Sequence, residues 1–462
     1  MTTATQAPLF AHQQNGVSFL HMHKRSALFW DPGTGKTRTV LEFLKQTPRT
    51  GPTLILCPAT LVSLAWGEDA RTFAPELPIL LAHGTAKKRR EAINAAREHN
   101  FIVVMGYEGA LASKELVQNT PWSCVILDES TRIKNHSSKI SKLVHRCTRR
   151  VECERVHLLT GCPTPNGMQE IWSQVFAASD ALGNTFYGFR HRYFFQPKAG
   201  LSWLWKERPG AEDEITQRTN PFVFRLRASD CLDLPNTQDV AVSVSLTTQE
   251  KTTYRRFRQE LLLRIGDGEV RGDTAVKEVM KLRQMAAGIV RDEEGAWRRI
   301  NKSGLASKTK AFLQVLDDES GLDGQRSVIG VVQFRKEAEM VQEAVRKSGR
   351  WCEILYGGLT SNEKDARVHE FRRRKGAVLL LHPRTAGHGV TLTSAATMVF
   401  LSLPYSQEDH LQVRGRIHRI GQERPCRYVY LLAEGTLDSR IRKLLLTRER
   451  SAERFLEAFC NE

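Results

Sequence analysis

Three groups of residues in this sequence of 462 amino acids have the types and spacing to handle a phosphoanhydride. The first is Phe29-Trp-Asp-Pro-Gly-Thr-Gly-Lys-Thr37, which follows a short apolar run and precedes a helical pattern. Gly33 and Gly35, with Pro32 and Thr34 completing the turn, would let backbone N–H groups approach phosphate oxygens. A helix starting just beyond adds its partial positive charge. Lys36 would reach the β- and γ-phosphates, and the Thr37 hydroxyl would hold Mg²⁺. A full phosphate-loop pattern has Gly six residues before the lysine, where this chain has Trp30. The second group ends an apolar strand, Cys124-Val-Ile-Leu-Asp128-Glu129. Asp128 there would hold Mg²⁺ through its water shell, and Glu129 would orient the attacking water. The third is a pair of cations, Arg416 and Arg419, three apart and therefore on one face if helical.

The elements that must carry these groups follow from hydrophobic runs. Residues 26–30, 53–57, 101–105, 124–127 and 156–159 read as buried strands alternating with helical patterns. A second series reads the same way at 327–334, 352–355, 377–381, 398–401 and 427–432. Between them the chain is richer in aromatics, Gly and charge, with direction changes at Asn220-Pro and Leu234-Pro. The expected fold is α/β: two parallel-sheet domains in tandem with a mostly helical middle insertion. The expected boundaries are 1–176, 177–303 and 304–462. No stretch reaches the ~18 apolar residues of a membrane helix, and no basic-then-apolar leader opens the chain. Nine cysteines, scattered and without a C-x-x-C pair, fit a reducing, cytoplasmic compartment and no structural zinc.

With these residues in view, the sequence resembles the Swi/Snf-type branch of the superfamily 2 helicase-like ATPases, whose domains are RecA-like. Asp128-Glu-Ser-Thr131 stands where that group has a DEAH-type box, with Thr131 in place of His. Arg132-Ile-Lys-Asn135 continues it. Leu158-Leu-Thr-Gly-Cys-Pro163 resembles the third motif, with Cys162 in place of a Thr, and Asn166 and Glu170-Ile-Trp172 follow. His12-Gln13-Gln-Asn-Gly16 resembles the adenine-reading Gln motif. Thr385-Ala-Gly-His-Gly-Val-Thr-Leu392 resembles the fifth motif, and Gln412-Val-Arg-Gly-Arg-Ile-His-Arg-Ile-Gly-Gln422 the sixth. Arg225-Leu-Arg-Ala-Ser-Asp230 and Leu282-Arg-Gln-Met285 resemble weaker middle blocks.

The resemblance implies ATP and Mg²⁺ as cofactors. It implies Lys36, Asp128, Glu129, Arg416 and Arg419 as the catalytic set, with both arginines reaching the γ-phosphate. Gln13, Pro32, Gly33, Thr34, Gly35, Lys36, Thr37, Gly389 and Gln412 would bind ATP, and Thr37 and Asp128 would serve the metal. Thr60, Lys134 and Arg384 would touch nucleic-acid phosphates. The implied activity is an ATP-driven monomeric motor on double-stranded or branched DNA, with no membrane partner. A strand-separating helicase on DNA or RNA, or a non-hydrolysing nucleotide-dependent clamp, would share most of these residues. The net charge of +17 agrees with a polyanionic partner. Residues 1–150 carry 20 basic and 11 acidic groups and residues 251–450 carry 38 and 25, whereas 151–250 are slightly acidic. The excess therefore lies where the motor motifs lie.

Overall fold

The structure, a computed structural model, describes residues 8–196, 205–266, 272–291, 294–301, 304–321, 326–386, 390–404 and 406–446. The chain divides into two compact units, Met1–Asp233 and Leu234–Glu462.

In the first unit seven strands form one all-parallel sheet: β1 (Arg25–Trp30), β2 (Thr53–Cys57), β3 (Ile79–Ala82), β4 (Ile102–Gly106), β5 (Cys124–Asp128), β6 (Arg155–Thr160) and β7 (Val223–Leu226). Their order across the sheet is β3-β4-β2-β5-β6-β1-β7. β2, β4 and β5 are buried along their whole length, as strands covered by helices on both faces must be. Alternate residues serve opposite faces. Leu28, Trp30, Ile55, Val104 and Ile126 pack with Val40, Leu41, Phe43 and Leu44 of α2 (Lys36–Gln46). Ala27, Phe29, Leu54, Val103 and Val125 pack on the other side with Leu143, Val144, Trp172 and Val175. Because the strands are parallel, the segments after β1, β2, β4, β5 and β6 all leave the carboxyl edge, where open α/β sheets bind ligands.

The second unit holds a six-stranded sheet, also parallel: β8 (Thr237–Val244), β9 (Val328–Val331), β10 (Cys352–Leu355), β11 (Val378–Leu381), β12 (Thr397–Phe400) and β13 (Cys426–Ala433), ordered β8-β13-β12-β9-β11-β10. Its faces are again split, with Ile329, Leu379, Met398 and Tyr428 on one side and Val328, Val378, Val399 and Val429 on the other.

Two parallel-sheet domains are therefore present, as expected. The middle is mostly helical, as expected, and it also adds one strand to each sheet. Besides helices such as Ala211–Thr219, it supplies β7 to the first sheet and β8 to the second, and the boundary between units falls inside it. Both are edge strands with a single buried residue each, Val223 and Val244, so neither shows the continuous apolar run of a central strand. β3 is a third edge strand that the sequence did not reveal. None of the described helices is long and apolar enough to cross a membrane.

Candidate functional site: a phosphate loop facing two strand-end acids

The turn after β1 is built as the glycines require. Gly33 and Gly35 have φ of 85° and 83°, in the left-handed region that favours glycine. α2 begins at Lys36, so the first-turn amides of an 11-residue helix, with Thr37 among them, open onto the loop. Lys36 Nζ donates to the carbonyls of Trp30 at 2.8 Å and Asp31 at 3.2 Å, folding the ammonium over the mouth of the loop. The Thr34 hydroxyl donates to the Asp31 carbonyl at 2.9 Å. Pro32 packs under the third-motif turn, where a β-carbon on Gly161 would meet its ring at 2.9 Å.

Trp30, the departure at the first glycine position, does not obstruct this loop. Its ring is fully buried below it, edge-on to Phe224 at 5.3 Å and to His12 at 5.7 Å. A β-carbon on Gly16 would sit 2.4 Å from that ring, which explains why Gly16 of α1 (Ala11–Met22) has no side chain.

α1 also braces the loop. His12 Nε2 lies 2.9 Å from the Thr34 carbonyl. Gln13 is 2% exposed, its Oε1 accepts from the Phe10 N–H at 3.0 Å, and its Nε2 faces Gly35. Substitution Gly35→Ala would impose the left-handed backbone on an alanine, roughly 1–2 kcal/mol. Its β-carbon would also fall 2.1 Å from Gln13 Nε2, on a side chain already anchored at its other end. We expect denaturant melting to show a loss of about 1–3 kcal/mol, together with weakened ATP binding by calorimetry. Wild-type stability with wild-type affinity would refute this account of the loop.

The two acids stand at the end of β5. Asp128 is 5% exposed, and burial pushes its carboxyl above the usual carboxylate range. A hydrogen bond from Trp66 and the charge of Lys36 oppose that push. Trp66 Nε1 donates to Asp128 Oδ2 at 2.8 Å, the Glu129 N–H donates to Oδ1 at 3.1 Å, and the Tyr107 hydroxyl donates to the Asp128 carbonyl at 2.9 Å. Glu129 has φ 52° and ψ 59°, one of two non-glycine residues with positive φ among those described. Strain of that kind concentrates at functional sites. The Thr160 hydroxyl donates to Glu129 Oε2 at 3.4 Å and accepts from the Cys162 N–H at 3.2 Å. The main chain supplies that second contact, whatever side chain stands at position 162.

A further chain of bonds ties the acids to the third motif. Ser130 Oγ donates to Gln174 Oε1 at 2.8 Å, and Gln174 Nε2 donates to the Pro163 carbonyl at 2.6 Å. Asp31 reaches the other way. Its N–H donates to the Leu226 carbonyl at 3.0 Å, and its carboxylate accepts from the Ala228 N–H at 2.9 Å. Sequence reasoning missed Trp66, Gln174 and this use of Asp31. The residue pairs lie 62, 44 and 197 positions apart, and no local pattern marks them.

Thr60 follows β2 on the same edge, with its hydroxyl buried and without a hydrogen-bond partner among the described residues. Lys134 follows the short 3-10 turn Ser130–Ile133 and pairs with Glu170 at 3.1 Å; Glu170 also accepts from both Asn166 donors.

In the second unit Gln412 is buried in the helix Gln407–Arg414. That helix stops at Arg414 and is capped by Gly415, so Arg416 and Arg419 lie in the turns beyond it. Main-chain and amide bonds hold those turns: the Leu392 N–H donates to the Arg416 carbonyl, and Gln422 Nε2 donates to the carbonyls of Thr393, Ala395 and Ile417. Arg384 lies on the one-turn helix Pro383–Ala386. Gly389 lies outside the described residues.

The first unit thus brings together a glycine-rich turn at a helix start, a lysine and two strand-end acids on one sheet edge. The donor set suits a hydrated Mg²⁺: one buried carboxylate held open by fixed donors and one hydroxyl at a helix start. A family model described as the SNF2-related domain matches residues 12–293, and one described as the helicase conserved C-terminal domain matches residues 307–421. The chromodomain-helicase-DNA-binding protein 1-like of Danio rerio is 25% identical over 96% of this chain, which spans 44% of that protein. The putative ATP-dependent helicase/translocase YwqA of Bacillus subtilis is 22% identical over 97% of this chain and is spanned to 48%. Putative protein p41 of Acyrthosiphon pisum secondary endosymbiont phage 1 is 24% identical, with 99% of both chains covered. The solved Sulfolobus solfataricus SWI2/SNF2 ATPase core in complex with dsDNA has 23% identity, a TM-score of 0.45, and coverage of 95% of this chain and 91% of that one. The chain spans about half the length of the first two relatives. The SNF2-related model covers more than half of this chain, and the chain belongs to the SNF2-related family of helicase-like ATPases.

Proposed function

We propose that this chain hydrolyses ATP and uses the cycle to track double-stranded DNA, with forked or branched duplexes among its substrates. The observation that carries the reading is the meeting of Lys36, Asp128 and Glu129 at the carboxyl edge of one sheet, which Thr60 also borders.

Lys36 exchanges the carbonyls of Trp30 and Asp31 for the β- and γ-phosphates, guided by the α2 amides. Thr37 and Asp128 would hold a hydrated Mg²⁺, which when bound would neutralise phosphate charge. Glu129 orients a water toward the γ-phosphate and takes its proton, while the Thr160 hydroxyl fixes the carboxylate. Arg416 and Arg419 are assigned to the charge that builds on the departing phosphoryl group, on the strength of the sixth-motif resemblance. Thr60, Lys134 and Arg384 are assigned to DNA phosphates, so binding is independent of sequence. Lys134 must then exchange Glu170 for phosphate.

The test compares ATPase stimulation by duplex DNA, single-stranded DNA, RNA and branched DNA, beside displacement of a triplex third strand and unwinding of a fork. Stimulation by duplex and stripping of the triplex, with the fork left paired, is the expected result. Unwinding of the fork would favour a strand-separating helicase, and absence of turnover on every polymer would favour a clamp. Raising salt should lower stimulation at subsaturating DNA, with a slope near −0.9 in log affinity per neutralised phosphate. A half-saturating DNA concentration that does not move between low and high salt would exclude a phosphate-tracking interface.

A further inference from the structure

Trp66 belongs to none of the motifs read from the sequence, yet its side chain hydrogen-bonds one of the two strand-end acids. The segment Val62–Gly67 forms a π-helix, a rare wide turn that concentrates at functional sites. Its Trp66 is fully buried among Ile55, Cys57, Val62 and Ile126. Within that apolar setting the one polar atom of the ring, Nε1, points at Asp128 Oδ2 at 2.8 Å. The Glu129 N–H takes Oδ1 at 3.1 Å, and the Tyr107 hydroxyl takes the Asp128 carbonyl at 2.9 Å. A carboxylate has about four lone-pair sites, so two donors fix the plane of the group and leave it able to accept more. The ring packs as core, and the N–H orients the acid.

We propose that Trp66 is a positioning residue whose indole N–H holds the Asp128 carboxylate in the orientation that meets the hydrated Mg²⁺ of a bound nucleotide. The proposal rests on the ATP reading above. Outer partners of a ligating group act in this way elsewhere, and their loss costs ~10–100-fold in metal affinity or activity. The mechanism gives the indole no contact with nucleotide or DNA, so its effect must pass through Asp128.

The experiment measures ADP affinity by calorimetry in excess Mg²⁺ and again in EDTA, and takes the ratio of the two dissociation constants. Four proteins are compared with the wild type: Trp66→Phe, a form carrying 3-benzothienylalanine at position 66, Asp128→Asn, and Asp128→Asn combined with Trp66→Phe. The benzothienyl ring keeps the size of the indole and lacks the N–H, so it answers the question even if the phenylalanine variant fails to fold.

The expected result is a fall in the Mg²⁺ enhancement of about tenfold or more in both Trp66 forms, with metal-free ADP affinity at the wild-type value. In the Asp128→Asn background, Trp66→Phe should add less than about a twofold change, since coupled residues are not additive. An unchanged enhancement in the benzothienyl form would overturn the proposal. So would an equal loss with and without Mg²⁺, which marks a packing defect, or effects that multiply in the double variant. A wild-type protein whose ADP affinity ignores Mg²⁺ would instead bring down the ATP-site reading, and this proposal with it.

Discussion

Glu129→Gln lowers the turnover number for ATP by about 10²–10⁴-fold and leaves ATP affinity within a fewfold of wild type. The range is that of a positioned general base removed from a hydrolytic site. Glutamine keeps the length and the carbonyl oxygen of Glu129, so the hydrogen bond from the Thr160 hydroxyl survives. The backbone also survives, because the left-handed conformation at position 129 belongs to the turn after β5 and not to the carboxylate. Only proton acceptance is lost. Lys36, Thr37 and the loop glycines, which carry the binding interactions, are untouched. Single-turnover hydrolysis alongside calorimetric ATP binding separates the two effects. Hydrolysis within tenfold of wild type would mean that another group activates the water. Failure to bind ATP would mean that position 129 is structural. Absence of turnover in the wild type itself would favour the clamp reading.

This first prediction was within reach of the sequence, because Asp128 and Glu129 end a continuous apolar run and a strand end is a local signal. The central strands were legible for the same reason. Burial on both faces makes them unbroken hydrophobic stretches, and Thr53–Cys57 and Val378–Leu381 fall where that pattern puts them. Three of the four edge strands were not legible. Val223–Leu226 and Thr237–Val244 each bury a single residue, Val223 and Val244, and they become strands by pairing with β1 and β13. The network that holds the site was hidden for a related reason. Trp66 and Asp128, or Asp31 and Ala228, meet only because parallel strands deliver distant turns to one edge. The spacing rule does not reach Arg416 and Arg419: i,i+3 implies a shared face only while the helix lasts, and Gly415 ends it.

The loss of helix at that point bears on the other large effect. Arg419→Ala should lower turnover by about 10³–10⁵-fold with little change in ADP affinity, the signature of a contact made only as charge develops on the transferring group. Arg416 and Arg419 sit in turns whose geometry depends on Gln422, since its amide gathers the carbonyls of Thr393, Ala395 and Ile417. Arg416 is 9% exposed and Arg419 is more open, so the two should respond differently. Arg416→Ala is expected to lose folding stability as well as turnover, whereas Arg419→Ala should keep the wild-type melting profile. Arg419→Lys tests whether charge alone suffices. A compact ammonium cannot reproduce the planar fork of a guanidinium, so lysine should recover only a small part of the rate. Full recovery by lysine would reduce the role of Arg419 to electrostatic attraction. An Arg419→Ala enzyme within tenfold of wild-type turnover would remove it from the catalytic set, and the resemblance of the sixth motif would then describe an anchor for Arg416 alone.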